Sequence, residues 1–414
     1  MAVGSAKVLV ESSQDELFNW DDVRSQFILD HDHIHMSGFL LAPHPQPVRE
    51  AIETHRRGLD ENPVDYLHGN QGRLEGNVLR AAANYLGVNP VDIALTDSTT
   101  MGLGLLYGGL HLNENQEILT TTHDHYATEI SLRHRAERTG ANVRQISLYR
   151  DIQSVSIDEI VSTLVNNVRP ETRIVAVTWV HSSTGLKLPI RQMADALAEI
   201  NATRDEADHA LLCVDGVHGL GVEDVTMAEL GCDFFTAGCH KWMFGPRGTG
   251  LVWGKPEAWP IAQPTIPTFD SQAYQMWMQV IPTRPIHPAT QMTPGGFHSF
   301  EHRWALDAAF EFHQSIGKTN VANRIHSLNR QLKEALSQMS HIQLYTPMDE
   351  ALSSGIVCFD VNRLHATQVV SRLDQQRIIA TITPYATLYA RLSPSLLTSP
   401  EEVDATIQAV ADLA

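Results

Sequence analysis

Short apolar runs alternate with longer stretches of helical periodicity along most of this chain. The runs are Gln116 to Thr121, Val143 to Leu148, Ile174 to Trp179, Leu211 to Asp215, Phe234 to Ala237 and Gly250 to Trp253. Runs so short, with little period-two alternation, predict strands buried on both faces. Their alternation with helical patterns predicts an α/β fold, a mainly parallel sheet covered by helices. After Trp253 a proline-rich passage, Pro256 to Pro294, is too long for a plain connection and is expected to wrap a pocket or a partner. From Arg303 a long helical stretch leads to a smaller domain. There Gly355 to Val361 and Ile378 to Ile382 predict strands, and Pro400 to Leu413 a closing helix with an acidic first turn.

Composition narrows the partners. With 414 residues and 43% hydrophobic content the chain builds one large core or a major and a minor domain. Its 48 acidic and 30 basic side chains leave a net charge of −18, which disfavours nucleic acid and anionic membranes as partners. Cys213, Cys232, Cys239 and Cys358 lie in or beside apolar runs without Cys-x-x-Cys spacing, as expected of reduced buried thiols. The first residues show neither a twin arginine nor an apolar signal core, and no run is long enough to span a membrane, so a cytoplasmic location is expected. An exported chain stripped of its signal would read the same way.

Candidate chemistry centres on Ala237-Gly238-Cys239-His240-Lys241-Trp242-Met243-Phe244-Gly245-Pro246-Arg247-Gly248-Thr249-Gly250, which sets one lysine between a small-residue turn and a glycine-rich loop. A lysine that condenses with a carbonyl must be transiently neutral, through burial or a neighbouring cation such as His240, and needs close backbone approach. Alone, it reads as a surface lysine in a turn. Upstream, Ala210 to Val214 predicts a buried strand ending in Asp215, where parallel sheets place ligand chemistry, with His218 three residues on. Further upstream, Ile93 to Thr96 and the hydroxyl-rich Ser98-Thr99-Thr100 precede an apolar helix, whose free amides suit a phosphate. Each has an ordinary structural explanation, and the order cradle, carboxylate, lysine is what carries weight. Gly102-Leu103-Gly104 lacks the third glycine of a dinucleotide fingerprint, and Gly248-Thr249-Gly250 lacks the Lys-Ser/Thr of a P-loop.

On these motifs the chain resembles the class V aminotransferases among fold-type I pyridoxal phosphate enzymes, and within them the isopenicillin N epimerase-like branch. The resemblance implies an aspartate-aminotransferase-like large domain with a mainly parallel seven-stranded sheet, plus a smaller α+β C-terminal domain. Residues 1–45 would pack on the small domain and the active site, 46–300 form the cofactor-binding domain and 301–414 the small domain. It implies pyridoxal 5'-phosphate as cofactor, Lys241 as its aldimine lysine, Asp215 as pyridinium partner and His218 at the phenolic oxygen. Thr99, Thr100 and His240 would meet the phosphate, His125 would stack on the ring (Tyr126 if the alignment slips by one), and Ser182 would lie beside the cofactor. Arg391 would clamp the substrate carboxylate, with Ser37, Gly38 and Phe39 near the substrate. A homodimer with active sites at the subunit boundary is also implied.

Departures from the family pattern shape the expected activity. Where relatives carry a persulfide-forming cysteine on a mobile loop, Arg377 to Tyr389 has none, so a persulfide-forming desulfurase is not expected. A phosphate-binding serine of relatives is replaced by Gly238, and a Gly-Thr pair by Gly295-Gly296-Phe297-His298. The resemblance implies an enzyme acting at Cα of an amino acid or a derivative in specialised metabolism, with lyase or oxidative decarboxylase ranked above aminotransferase or epimerase. A non-catalytic binding protein on the same fold is the alternative of another class. His31, His33 and His35 would share one face if extended, but a pocket entrance explains them without a metal.

Overall fold

The computed structural model describes residues 18–414. Its strands are β1 (Ile34–His35), β2 (Ile93–Thr96), β3 (Glu117–Thr121), β4 (Asn142–Ile146), β5 (Thr172–Thr178), β6 (Leu211–Asp215), β7 (Phe234–Gly238), β8 (Gly250–Gly254), β9 (Ile342–Leu344), β10 (Val357–Val361), β11 (Ile378–Ile379), β12 (Thr381–Ile382) and β13 (Ala390–Leu392). A seven-stranded sheet runs in the order β2-β8-β7-β6-β5-β3-β4. It is parallel from β7 through β4, while β8 lies antiparallel to both β7 and β2. Burial on both faces explains why these strands read as continuous apolar runs: β2, β3, β7 and β8 are buried at every position.

The second sheet is antiparallel, in the order β12-β13-β10-β9. Leu328, Leu332 and Leu336 from the helix Lys318–Ser337, Val369 and Leu373 from Ala366–Gln375, and Val403 and Val410 from Pro400–Ala411 form a core with Val357, Phe359 and Leu392 of this sheet. Met36 enters the same core. The segment before it pairs in parallel, with Ile34 opposite Ile378 and His35 opposite Ile379.

Two local expectations need correction, and the histidine-rich segment takes its own course. Ile378 to Ile382 is not one strand: Ala380 separates β11 from β12, and the two halves join different sheets. The stretch after Arg303 is broken into the helices Phe300–Trp304, Leu306–Ile316 and Lys318–Ser337, the last two separated by Gly317. His31 to His35 is extended only at its end, because Asp30 closes a turn: His33 Nδ1 lies 2.6 Å from its carboxylate and His35 Nε2 3.1 Å from its carbonyl. Among the described residues no three potential ligands converge on a metal position, and no helix is long and apolar enough to cross a membrane.

Candidate active site

Loops after β2, β6 and β7, at one end of the large sheet, share a cavity wall with Arg391 of the small one. Ser98 caps the helix Thr99–Gly109, its hydroxyl accepting from the Met101 amide at 3.1 Å, and turns the first helical turn toward the carboxyl end of β6. Thr99 Oγ1 accepts from the Gly238 amide at 2.8 Å, joining that turn to the end of β7. A side chain at Gly238 would come within 2.9 Å of the His240 ring and 3.0 Å of Thr99 Oγ1. Glycine is therefore required for this close approach, which accounts for the missing serine. The lysine turn is fixed by the Cys239 amide donating to the Thr249 carbonyl at 3.0 Å and the Gly245 amide to the Cys239 carbonyl at 2.8 Å. Phe244 is held at φ 53° to close it, a left-handed conformation costing about 1–3 kcal/mol, and its ring packs 5.0 Å from Phe27.

These elements enclose a cavity of about 180 Å³ whose wall includes Phe39, Thr99, Thr100, His125, Ser182, Asp215, His218, His240, Lys241 and Arg391. Ser37 and Gly38 are not on the wall. Ser37 bridges to Ser393, and Gly38 lies against Leu397 and Ser395, so this pair anchors the segment that delivers Phe39. His125 caps the helix Tyr126–Thr139 with Nδ1 accepting from the Ala127 amide, and its ring is on the wall; Tyr126 is 71% exposed and off the wall.

Burial sets the electrostatics. Asp215 is buried, and loss of hydration pushes its carboxyl up to about 6, opposed by the Val217 amide donating at 3.1 Å and by Lys241. Burial likewise draws Lys241 down to about 8, against the pull of Asp215 and with the push of Arg391. His218 lies well below the ordinary histidine range, first from burial and then from Lys241, Arg391 and His125. Its Nε2 is 3.2 Å from Lys241 Nζ.

Arg391, on β13, is 3% exposed. It donates to Thr381 Oγ1 at 3.0 Å, to the Ser182 carbonyl at 2.9 Å and to the Ile382 carbonyl at 3.4 Å, and sits 4.4 Å from the Phe39 ring centre. Among the described residues no carboxylate forms an ion pair with it. An always-charged guanidinium so buried calls for an anion from elsewhere.

Two residues to which sequence reasoning gave no role belong here. Tyr385 reaches Ser182 Oγ at 2.9 Å and stands edge-on to His125 at 6.2 Å between ring centres. Its loop was read only for the absence of a cysteine; an aromatic there was the overlooked signal. Trp242, inside the lysine motif, bonds His218 through its indole.

Comparison with known proteins shows the family and the fold. The profile of the family described as Aminotransferase class-V matches residues 42–384, and the chain belongs to that family. The isopenicillin N epimerase of Streptomyces clavuligerus is 24% identical over 403 residues, 93% of this chain and 96% of the relative. A probable cysteine desulfurase of Halalkalibacterium halodurans is 26% identical over 333 residues, 76% of this chain and 75% of the relative. Among solved structures, the cystine C-S lyase C-DES in complex with its product cysteine persulfide superposes with a TM-score of 0.81 at 22% identity, covering 92% of this chain and 98% of the other. The cysteine desulfurase of Thermococcus onnurineus gives 0.78 at 19% identity, covering 95% and 97%. The fold is that of the fold-type I pyridoxal phosphate enzymes.

The donor set fits the cofactor of this family. It combines a buried carboxylate at a strand end, an amine brought toward neutrality, a helix N-terminus flanked by hydroxyls, and a glycine that keeps the cradle open.

Proposed function

We propose that this protein is a pyridoxal phosphate-dependent enzyme acting at Cα of an amino acid or amino-acid-derived substrate, as a lyase or oxidative decarboxylase of specialised metabolism. The observation that carries the reading is the buried Arg391, without a carboxylate partner among the described residues, on the wall of the cavity that holds Lys241 and Asp215. Lys241 would hold the cofactor's aldehyde carbon, Asp215 the proton on its ring nitrogen and His218 its phenolic oxygen. Thr99, Thr100, His240 and the helix N-terminus would hold its phosphate, with His125 against its face. When bound, the cofactor accepts the electrons released as a bond to Cα breaks. Arg391 binds the α-carboxylate with its fork and so orients the bond to be broken. Lys241, drawn down to about 8, is the base and acid that removes or returns a proton at Cα. Phe39, on the wall, would restrict water on that side.

Persulfide formation on the protein is not part of the reading. Cys213, Cys232, Cys239 and Cys358 are all buried, and burial raises each thiol, Cys239 and Cys358 to about 12. The desulfurase relatives make this the point to test. The test is the near-visible spectrum of the purified protein before and after a panel of amino acids, with and without oxygen. Turnover with the aldehyde form of the cofactor retained supports a lyase when the products are cleaved fragments and an epimerase when only the configuration changes, and an oxygen requirement supports an oxidative decarboxylase. Accumulation of the amine form would turn the assignment to an aminotransferase, and sulfide release with a protein-bound persulfide to a desulfurase.

The proposal includes a homodimer. Trp277, Val280 and Phe297 are 77%, 68% and 84% exposed in and after the proline-rich passage, and a second copy would cover them. Light scattering showing an active monomer would refute it.

A further inference from the structure

Trp242 reaches the lysine through a histidine. Its indole Nε1 donates to His218 Nδ1 at 3.3 Å, and His218 Nε2 lies 3.2 Å from Lys241 Nζ. An indole N–H can only donate, so Nδ1 must accept, and the neutral ring carries its proton on Nε2. An ammonium can also only donate, so Nε2–H faces a charged Lys241 with no lone pair to offer. The contact is satisfied when Nζ is an uncharged amine that accepts from Nε2–H.

We propose that Trp242 is a positioning residue that locks His218 as the Nε2–H tautomer and thereby favours the neutral, nucleophilic form of Lys241. The consequence for Lys241 rests on the reading of that residue as the reactive amine; the tautomer itself does not. Adding a proton to His218 would require Nδ1, where the indole hydrogen already sits. The charged and titratable groups around the pair are divided: Asp215 favours a cation on Lys241, while Arg391 opposes one there and Arg391 and His125 oppose one on His218.

The indole's seat is built for this placement. Trp242 is 2% exposed, and its ring lies 6.0 Å from that of Phe39 with 28° between planes. A side chain at Gly355 would come within 2.6 Å of the indole, and one at Gly221 within 2.8 Å of the Trp242 backbone. Lys333 shows the opposite provision. Also drawn down to about 8 by burial, it donates to the carbonyls of Pro347 and Met348 and to Ser353 Oγ at 2.9, 3.2 and 2.6 Å, a set of acceptors suited to an ammonium. Burial alone does not distinguish these two lysines; hydrogen-bond polarity does.

The test reads the tautomer and the amine separately, on the full chain as purified and after cofactor removal. Long-range proton–nitrogen NMR of labelled histidine rings, with His218 assigned by its loss in His218→Gln, is expected to show a neutral Nε2–H ring between pH 6 and 9. An Nδ1–H or doubly protonated ring in the wild-type chain overturns the proposal without recourse to a Trp242 variant. In the cofactor-free chain, Trp242→Phe frees Nε2 to accept from an ammonium. The pH midpoint for acylation of Lys241, read by peptide mass spectrometry, should then rise by about one unit, a roughly tenfold slower reaction near neutrality. That change should vanish in the His218→Gln background. An unchanged midpoint, or the same change in both backgrounds, overturns the lock. A wild-type chain that shows the lock yet binds no pyridoxal phosphate would retain this inference and remove the functional reading.

Discussion

Replacing Arg391 by Gln separates a residue kept for a ligand from one kept for the fold. In the cofactor-bound protein Arg391 would present two N–H groups to a substrate carboxylate. Hydrogen bonds to charged groups contribute about 1.5–3 kcal/mol each, so losing both costs about 3–6 kcal/mol, roughly two to four powers of ten in kcat/KM. Stability should respond quite differently. The substitution removes three internal hydrogen bonds, to Thr381, Ser182 and Ile382, but also a buried cation with no ion-paired carboxylate among the described residues. Those contributions oppose each other at several kcal/mol each, so the unfolding free energy should change by no more than about 2 kcal/mol. The assay reads kcat/KM for an amino acid, and the affinities of that amino acid and of its decarboxylated amine from the shift of the cofactor's absorption band, alongside urea unfolding. Loss confined to the carboxylate-bearing compound, with stability nearly unchanged, is expected. A variant destabilised by more than about 4 kcal/mol, with amino acid affinity intact, would show that Arg391 is a structural cation and refute the reasoning.

Lys241→Ala should lose the near-visible band of lysine-bound cofactor and at least about 10³-fold in kcat, read by absorption and steady-state kinetics; retention of both would remove the functional assignment. Asp215→Asn should stabilise the cofactor-free chain at pH 8 while impairing turnover. Its folded carboxyl is raised from 3.8 to about 6, so the burial penalty, about 3 kcal/mol, is fully present above pH 6 and fades as pH falls to about 4. Urea unfolding at pH 8 and pH 4 should therefore show the gain only at the higher pH. Gly238→Ala places a methyl between the His240 ring and Thr99 Oγ1, so the cofactor dissociation constant should rise about tenfold by fluorescence titration, and an unchanged constant would detach this glycine from the phosphate cradle.

Most of the large sheet was legible because its inner strands are buried on both faces, so that Leu211 to Asp215 and Phe234 to Ala237 announce themselves as apolar runs, whereas the edge strand β4 is partly exposed. The small sheet was harder. Strands β11 and β12 look continuous in sequence, and only tertiary pairing, with β1 on one side and β13 on the other, shows that the chain changes sheet at Ala380. Lys241, Asp215 and the Ser98 turn could be picked out because they stand at strand ends with small residues around them. Arg391 was found through resemblance, since an arginine in Ala390-Arg391-Leu392 is otherwise an ordinary strand residue. Tyr385 and the indole of Trp242 act through partners distant in sequence, Ser182 and His218, and no local pattern encodes such contacts.

The cavity wall has two physical origins. Lys241, Asp215 and Thr99 stand on or just after strands of the seven-stranded sheet, whereas Arg391 stands on the four-stranded one and Pro384 on the loop between its strands β12 and β13. On the proposed assignment, substitution at residues 381–391 would therefore alter what is recognised while leaving Lys241 and Asp215 on the elements that carry them. A lineage built on this chain has separate routes to a new substrate and to a new reaction, and change along the first does not require rebuilding the second.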